Sequence, residues 1–376
     1  MEKRKLIIAS DSFLPRWDGI ASFLNDVIPR IEKDYKITTL SPDFGDYSFD
    51  YDAEIIRYKT LKMRFADNYY PAIVNPFKIS KEIKKADVVW VHTIGPIGLW
   101  SIIFARKHKV PVILSSHTIE WEVFPNSQGI NLLKVPLNIL VKMADKYLYN
   151  RCNSIMVSST EQAELLSIVG IRRKKNVVHL GVDVKYYRPA LNKKIAKEKI
   201  GIDPDKFVIG YAGRVSLEKD PKTLYRAFIR FSKKYKDSVL LIAGGGRPDL
   251  EAMFKKNPSV VFTGAKDDLL PYYQAMDVYC LTSLSETSSL TTMEAMSCAL
   301  PVIVTPVGLV KEYVDDGKNG FMISKKNSYM LFQKLEYVKR NMLACIHIGR
   351  EARSTIMNNY TWDKTIKSIK KVIDNT

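Results

Sequence analysis

The sequence has few cysteines and histidines, and it has no apolar run long enough to cross a membrane. Its 376 residues include five histidines and four cysteines, Cys152, Cys280, Cys298 and Cys345. The cysteines are scattered, which argues against a zinc site and against a disulfide framework. No stretch approaches the roughly 18 apolar residues of a membrane span, and the first residues lead into a predicted strand rather than into a signal peptide. We therefore expect a soluble, cytoplasmic protein of a reducing compartment.

Positive charge is in excess. The chain has 58 lysines and arginines against 40 acidic residues, a formal net charge of +18. Hydrophobic residues make up 46% and charged residues 26%, which is the usual globular balance and excludes a disordered or fibrous protein. The charge predicts an anionic partner, either nucleic acid, an acidic membrane surface or a phosphorylated substrate. Because no nucleic-acid-binding motif is present, nucleic acid is the partner that we expect least.

Short apolar runs alternate with amphipathic segments along the chain, and the pattern restarts after the lysine-rich residues 186–206. The runs in the first half are residues 5–10, 87–92, 111–117, 154–159 and 176–180. They are continuous rather than alternating, as in parallel strands that are buried on both faces. The sequence thus predicts an α/β fold of two Rossmann-like, doubly wound domains, 1–185 and 186–357, that face each other across a cleft. A single long sheet is the alternative, which the size limit on one core disfavours.

A possible phosphate site follows the first strand of the second half. A predicted strand at residues 208–212 is followed by a turn at Gly213, by Arg214 and Lys219, and by a helix that opens at Pro221. Arginine binds phosphate as a planar fork, lysine binds it as a point charge, and the free N–H groups of a helix start favour an anion. Two surface cations on a loop are the alternative.

Two glutamates follow a second predicted strand, residues 278–282. Glu286 lies in a polar loop, and Glu294 lies eight positions later near the start of a helix that one of residues 287–289 is predicted to cap. Because one carboxylate lies in the loop and the other on the helix, they would hold different parts of an elongated ligand. An acid holds the ribose in this way in dinucleotide-binding folds. A capping loop with a solvated glutamate is the alternative.

These motifs resemble those of the family-4 retaining glycosyltransferases, the glycosyl transferases of group 1, which have the GT-B architecture. The pattern Glu-x7-Glu is followed by EAMSCALPVI and GLVKEYVDDGKNGFMI, and YAGRVSLEKDPKTLYRAF is similar to the family's Gly-Arg…Glu-Lys element. LGVDVKYYRP is similar to its junction strand and DSFLPRWDGIASFL to its amino-terminal loop. The resemblance extends over nearly the whole chain.

The resemblance implies a role for each matching residue. Arg214 and Lys219 would bind the donor diphosphate. Glu286 would bind the transferred sugar, and Glu294 would hold the ribose. The other residues with implied roles are His117 near the reacting sugar, Gly19 and Gly213 near the phosphates, Ser288, Ser289 and Leu290 near the sugar, and Gly245, Gly264, Ala265 and Lys266 around the base. The family has Glu-Gly-Phe-Gly where this chain has Glu286 followed by Thr-Ser-Ser, so the donor sugar is not predicted.

The resemblance further implies transfer from a UDP- or GDP-linked sugar with retention of configuration, without a metal or a cofactor. Residues 57–85 and 120–151 interleave aromatic or apolar residues with basic ones, which suits a membrane surface. We expect a lipid or lipid-linked glycan acceptor at the cytoplasmic face. Core helices with an acceptor loop, and hence a soluble acceptor, are the alternative. A sugar phosphorylase or a nucleotide-sugar epimerase is a further alternative, which the paired glutamates disfavour.

The end of the chain reads as a basic amphipathic helix. Residues 358–376 contain the segment TWDKTIKSIKKVIDNT. The resemblance implies that this helix packs back on the amino-terminal domain, and a frayed tail is the alternative. We expect the protein to be a monomer or a weak dimer.

Overall fold

The computed structural model describes residues 3–16, 18–61, 70–117 and 134–376. The chain divides into two units, the first formed by Met1–Val178 with Ile366–Thr376 and the second by His179–Thr365. The division after Val178 lies earlier than the predicted boundary at residue 185. The chain therefore crosses between the units twice, because its last residues belong to the first unit.

The first unit is built on a parallel sheet of seven strands in the order β3-β2-β1-β4-β5-β6-β7. The strands are β1 Arg4–Ala9, β2 Tyr35–Pro42, β3 Glu54–Tyr58, β4 Val88–Val91, β5 Val112–Ser116, β6 Ser154–Val157 and β7 Lys174–Val177. The five predicted runs are strands, whereas β2 and β3 were not predicted. β3 lies at the sheet edge and is mostly half-buried, so it lacks the continuous apolar run of a central strand.

Helices connect the strands of the first unit. In the described residues they are α1 Gly19–Ile31, α2 Pro76–Ile83, α3 Pro96–His108, α4 Lys134–Tyr149 and α5 Thr160–Ile168. The carboxy-terminal helix α14, Trp362–Asp374, belongs to this unit from Ile366 onward. The end of α14 is attached to the first strands: Arg4 donates to the carbonyl of Ile373 over 3.0 Å, and the Tyr35 hydroxyl donates to Asp374 Oδ1 over 2.7 Å. Residues 358 and 359 belong to the preceding helix, so the terminal helix is shorter than predicted.

The second unit contains a parallel sheet of six strands in the order β10-β9-β8-β11-β12-β13. The strands are β8 Phe207–Ala212, β9 Ser238–Ala243, β10 Val260–Phe262, β11 Val278–Leu281, β12 Val302–Val304 and β13 Phe321–Met322. The two-residue β13 was too short to predict. Successive residues of β11 alternate between two hydrophobic clusters, Tyr279 in one and Cys280 in the other. The sheet is thus buried on both faces, which confirms the doubly wound arrangement.

Helices cover the second sheet as well. They are α6 Lys193–Lys199, α7 Pro221–Lys234, α8 Pro248–Lys255, α9 Leu270–Ala275, α10 Leu290–Ser297, α11 Val310–Tyr313, α12 Ser328–Arg340 and α13 Met342–Asn359. Because β8 and β11 are parallel neighbours, the loops that follow them leave the sheet at the same edge. The first loop contains a short 3₁₀ helix, Leu217–Lys219, before α7 begins at Pro221.

Glycines allow two backbones to approach closely at this edge. Gly244 has a φ of +159°, and a Cβ atom at this position would lie 1.9 Å from the carbonyl oxygen of Gly213. Gly213 has a φ of +125°, and its amide donates to the carbonyl of Ala243 over 3.0 Å. The strand ends of β8 and β9 can therefore meet only if residue 244 has no side chain.

Replacing Gly244 by alanine should destabilise the protein by more than about 2 kcal/mol, because the methyl group would overlap backbone atoms and the backbone conformation disfavours a side chain. The measurement is the free energy of unfolding from a denaturant titration. Gly19→Ala is the matched control, since a Cβ atom there would have no neighbour within 4 Å, and it should stay within about 1 kcal/mol of the wild type. Equal effects of the two substitutions would contradict the close approach.

Candidate active site

Backbone-directed hydrogen bonds hold the loops after β8 and β11 together in the second unit. The Thr282 hydroxyl lies 3.0 Å from the carbonyl oxygen of Lys219 and 2.9 Å from that of Asp220. The amide of Leu284 donates to the carbonyl of Glu218 over 2.7 Å. These contacts fix the cation-bearing loop against the loop that contains Glu286.

Lys219 and Glu286 form an ion pair between these loops. Lys219 Nζ lies 2.7 Å from Glu286 Oε1, and the Ser283 hydroxyl donates to the same oxygen over 2.7 Å. The Glu286 side chain is 8% exposed and that of Lys219 is 21% exposed. An ammonium group carries three N–H donors, so Lys219 can hold Glu286 and still donate to an anion at the exposed side.

Arg214 takes a different position from Lys219. Its side chain is 72% exposed, and its guanidinium lies 2.7 Å from Glu218 Oε1. Its backbone carbonyl accepts a hydrogen bond from the Tyr211 hydroxyl over 2.7 Å. The two predicted cations thus have separate carboxylate partners. Exposed ion pairs contribute little free energy, so Arg214 can exchange Glu218 for the oxygen atoms of a phosphate at small cost.

The helix that carries Glu294 begins close to the same loops. α10 starts after Ser289, which has a φ of +53° and makes no side-chain capping bond. The prediction that a hydroxyl side chain caps this helix is therefore wrong: the Ser289 hydroxyl bonds to that of Thr292, over 2.8 Å. The buried Ser288 hydroxyl has no hydrogen-bond partner in the described part of the chain. Because no side chain caps the helix, the backbone amides at its start can donate hydrogen bonds to an anion.

Tyrosines hold Glu294 in place. The Tyr273 hydroxyl donates to Glu294 Oε2 over 2.7 Å, and burial together with the Glu294 carboxylate raises the pKa of Tyr187. The rings of Tyr187 and Tyr273 contact each other edge to face with centroids 5.9 Å apart. Sequence reasoning missed both tyrosines, although Tyr187 lies in the junction motif LGVDVKYYRP.

Both predicted acids act electrostatically on Tyr279. Its hydroxyl donates to Thr291 Oγ1 over 2.9 Å. Burial raises the pKa of Tyr279, and the charges of Glu286 and Glu294 raise it further. Both carboxylates are thus near one buried ring, and the structure brings them to the same region although they belong to a loop and to a helix.

The glycine segments that were predicted to surround a base are neighbours in the structure. Gly244 pairs with Gly264 in an isolated antiparallel bridge, and a Cβ atom on Gly245 would lie 3.2 Å from the amide nitrogen of Ala265. The amide of Gly246 donates to Glu251 Oε1 over 2.7 Å. Lys266 is exposed beside this bridge. Glu251, which sequence reasoning did not single out, orders the end of this segment.

In the first unit, His117 follows β5 and contacts a second histidine. His117 Nε2 lies 2.9 Å from His92 Nδ1, and the two rings stack with centroids 5.2 Å apart. Phe23 of α1 packs on the His117 ring at 5.3 Å. Burial lowers the pKa of His117 to about 4, although the Asp18 carboxylate acts in the opposite direction. His117 is therefore a neutral imidazole at neutral pH.

Gly19 is the first residue of α1, and it lies beside an acidic cap. Asp18 accepts hydrogen bonds from the amides of Ile20 and Ala21, each over 3.0 Å. The carboxylate of Asp18 thus caps the start of this helix. A phosphate that approached Gly19, as predicted, would be repelled by the Asp18 carboxylate.

Two family profiles match the two halves of the chain. Residues 17–186 match Glycosyltransferase Family 4, and residues 206–341 match Glycosyl transferases group 1. The chain belongs to this glycosyltransferase family. The second match contains the ion pair of Lys219 with Glu286 and also Glu294, which confirms the family that the donor-site motifs indicated.

Similar proteins cover most of this glycosyltransferase. The alpha-monoglucosyldiacylglycerol synthase of Acholeplasma laidlawii is 24% identical over 353 residues, which are 89% of this chain and 88% of that protein. The enzyme of the same name from Streptococcus pneumoniae is 27% identical over 316 residues, 78% of this chain and 69% of that protein. The crystal structure of Anabaena HepE in complex with UDP has a TM-score of 0.79 at 16% identity and covers 99% of this chain and 100% of its own. It confirms the GT-B fold.

The segments predicted to face a membrane are only partly described. Residues 62–69 and 118–133 lie outside the described residues, and they include parts of both segments. Within the described ranges, the glycosyltransferase has no helix that combines the length and the apolar character needed to cross a bilayer.

His117 gives the glycosyltransferase a pH-dependent stability. In the unfolded chain the imidazole of His117 has a pKa near 6.5, whereas in the folded protein its pKa is about 4. Between these two pH values His117 is therefore protonated mainly in the unfolded state, and this protonation favours unfolding. Stability should be complete above pH 6.5 and fall toward pH 4, with a slope of up to about 1.4 kcal/mol per pH unit from this proton. His117→Gln should reduce that slope.

The measurement is the free energy of unfolding at several pH values between 4 and 7. His347→Gln, which removes an exposed histidine from α13, is the control for the loss of one imidazole. If His117→Gln left the slope as steep as in the wild type, the buried neutral histidine would be disproved.

Proposed function

We propose that the protein transfers a sugar from a UDP- or GDP-linked donor to a lipid or lipid-linked acceptor at the cytoplasmic membrane surface, with retention of configuration and without a metal. The observation that carries the donor half of the proposal is the 2.7 Å contact between Lys219 and Glu286. It joins a cation suited to a diphosphate with a carboxylate suited to sugar hydroxyls, next to the uncapped start of α10.

The proposed reaction is a substitution at the anomeric carbon of the donor sugar. The bond from this carbon to the diphosphate oxygen breaks, the bond to the acceptor oxygen forms, and the acceptor proton passes to the departing diphosphate. Positive charge develops on the sugar and negative charge on the leaving group. Lys219, Arg214 and the amides at the start of α10 would stabilise the leaving group, as preorganised donors do.

The carboxylates would position the two ends of the donor. Glu286 would accept hydrogen bonds from hydroxyls of the transferred sugar, and Glu294, which Tyr273 holds over 2.7 Å, would accept those of the ribose. The segments around Gly245 and Ala265 would surround the base. His117 of the first unit would donate or accept a hydrogen bond as a neutral group near the reacting sugar.

An exposed apolar face of α4 supports a membrane-bound acceptor. Ile139, Leu140, Met143 and Tyr147 are exposed large hydrophobic residues of this helix, and their spacing places them near one another on its surface. Lysines 142 and 146 lie on the same helix. Apolar side chains flanked by lysines are typical of helices that bind in the plane of a membrane surface. Both curated relatives described above are named as synthases of a glycolipid.

Replacing Lys219 by alanine should reduce the turnover number by about 10²- to 10³-fold, because one preorganised donor to the leaving group is lost. The measurement is the release of nucleoside diphosphate from a panel of UDP- and GDP-sugars in the presence of lipid vesicles, with EDTA in one series. Lys234→Ala is the matched control, since Lys234 forms a comparable ion pair with Glu336, over 2.6 Å, at the far end of α7.

Glu286→Gln should also lower turnover while the protein still binds the free nucleoside diphosphate, because the glutamine keeps the shape of the side chain but loses the charge. If Lys219→Ala and Arg214→Ala both turned over like the wild type, the assigned donor site would be wrong. Loss of activity on addition of EDTA would contradict only the proposal that the reaction needs no metal, and would leave the assigned donor site intact.

If the acceptor is a lipid, transfer to acceptors in vesicles should depend on the exposed apolar side chains of α4. Leu140→Asp or Met143→Asp should reduce transfer to acceptors in vesicles by at least about tenfold, since inserting one such side chain contributes about 1.5 to 3 kcal/mol. Ile168→Asp, at an exposed position of α5, is the control and should leave transfer unchanged. Vesicles would contain diacylglycerol, a glycosyl diacylglycerol or neither, and soluble sugars would be offered in parallel. Equal transfer to soluble sugars by all variants would favour a soluble acceptor instead.

A further inference from the structure

A cavity of about 580 Å³ opens in the second unit, between the residues before α6, the turn after α10 and the face of α13. Its lining includes Lys193, Asp277, Arg350, Arg353, Ile346 and Met357. Lys219, Glu286 and Glu294 are absent from the lining, so the cavity is separate from the donor site proposed above. It combines positive charge with apolar surface.

The positive charge in this cavity exceeds the negative charge. Asp277 is the acidic residue of the lining, and its Oδ2 already lies 2.8 Å from Lys197 Nζ and accepts a hydrogen bond from the amide of Val208 over 2.8 Å. Lys193 donates to the carbonyl oxygen of Met276. Asp277 is therefore balanced by Lys197, and the charges of Lys193, Arg350 and Arg353 remain.

The arginines differ in what they contact. Arg353 donates to the carbonyl oxygens of Tyr187, over 3.0 Å, and Val184, over 3.3 Å, so it holds the junction segment with neutral partners. Arg350 is exposed and has no ion pair within residues 134–376. Burial lowers the pKa of Lys193 to about 8, which an anion in the cavity would oppose. The lining thus has three cations, Lys193, Arg350 and Arg353, against the one carboxylate of Asp277.

The apolar part of the cavity lies on the same helix as the arginines. Met342, Ile346 and Met357 of α13 line the cavity and are also exposed. Their spacing from Arg350 and Arg353 corresponds to successive turns of one helix face. A ligand here would meet cations in the middle of the helix and apolar side chains toward both ends.

We propose that this cavity binds one membrane phospholipid with an anionic headgroup. The headgroup phosphate is bound by Arg350 and Lys193, and an acyl chain lies along Ile346 and Met342, on one side of the headgroup. A free phosphate would leave the apolar side chains uncovered, and a neutral lipid would leave the cations unbalanced. The occupant that matches both features is an anionic amphiphile, and binding it would attach the second unit to a membrane.

Binding should be measured by titration calorimetry on the full chain, with lysophosphatidylglycerol below its critical micelle concentration. Inorganic phosphate and lysophosphatidylcholine are the two comparison ligands. We expect the anionic lysolipid to bind and the other two to bind at least about tenfold more weakly, since each lacks the apolar or the charged half of the interaction. No sugar donor or acceptor is present, so the result does not depend on the proposed function.

Three variants locate the site. Arg350→Glu should weaken binding roughly 30-fold, because it reverses one charge near the headgroup, and Ile346→Asp should weaken it at least about tenfold. Lys233→Glu, which reverses an exposed charge at the end of α7, should bind like the wild type. Arg353 is left unchanged because it holds backbone carbonyls. An unchanged thermal midpoint of each variant shows that it is folded.

The other outcomes overturn the proposal. Equal weakening by Arg350→Glu and Lys233→Glu would mean that the net charge of +18 attracts the lipid without a site. Phosphate binding as tightly as the lysolipid would mean a polar anion site, and equally tight binding of lysophosphatidylcholine would mean an apolar groove without selectivity for charge.

Discussion

The ion pair between Lys219 and Glu286 is the contact on which the rest of the proposed donor site depends. Each group belongs to a different loop, and each loop begins at the end of a different parallel strand, β8 or β11. Taking a carboxylate out of water is costly unless it is paired and hydrogen-bonded. Glu286 meets this condition through Lys219 and Ser283, so the loops must keep their mutual position for the carboxylate to remain buried.

The sequence predicts most of the fold because central parallel strands have to be apolar on both faces. Every continuous apolar run that was interpreted as a strand is one, and the restart of the pattern after residues 186–206 marks the second sheet. The edge strand β3 escaped prediction because its residues are half-buried, and β13 because it has two residues. Whether a strand lies at the edge and how long it is depend on the assembled sheet, so the local pattern of apolar residues does not predict them.

The contacts within the candidate site are predicted less completely than the fold. The prediction that Glu286 lies in a loop and Glu294 near the start of a helix is correct. The partners of those acids were not predictable, since Tyr273 lies 21 residues from Glu294 and Lys219 lies 67 residues from Glu286. Ser289 has the composition of a helix cap, yet its left-handed backbone turns the hydroxyl toward Thr292. Side-chain composition indicates a cap only where the backbone allows it.

Lys219 and Arg214 each have a carboxylate partner, and a donor that binds to these cations would have to share or replace that partner. A buried ion pair contributes less than its Coulomb energy, because both groups lose water. Lys219 is partly exposed whereas Glu286 is not, so an arriving diphosphate would meet the ammonium first and share it with the carboxylate rather than displace it. Arg214, paired with Glu218 on the surface, has no such constraint and can turn to the phosphate. In the proposed mechanism the two cations would therefore act differently: Lys219 orders the two loops through Glu286, and Arg214 would turn to the phosphate when a donor binds.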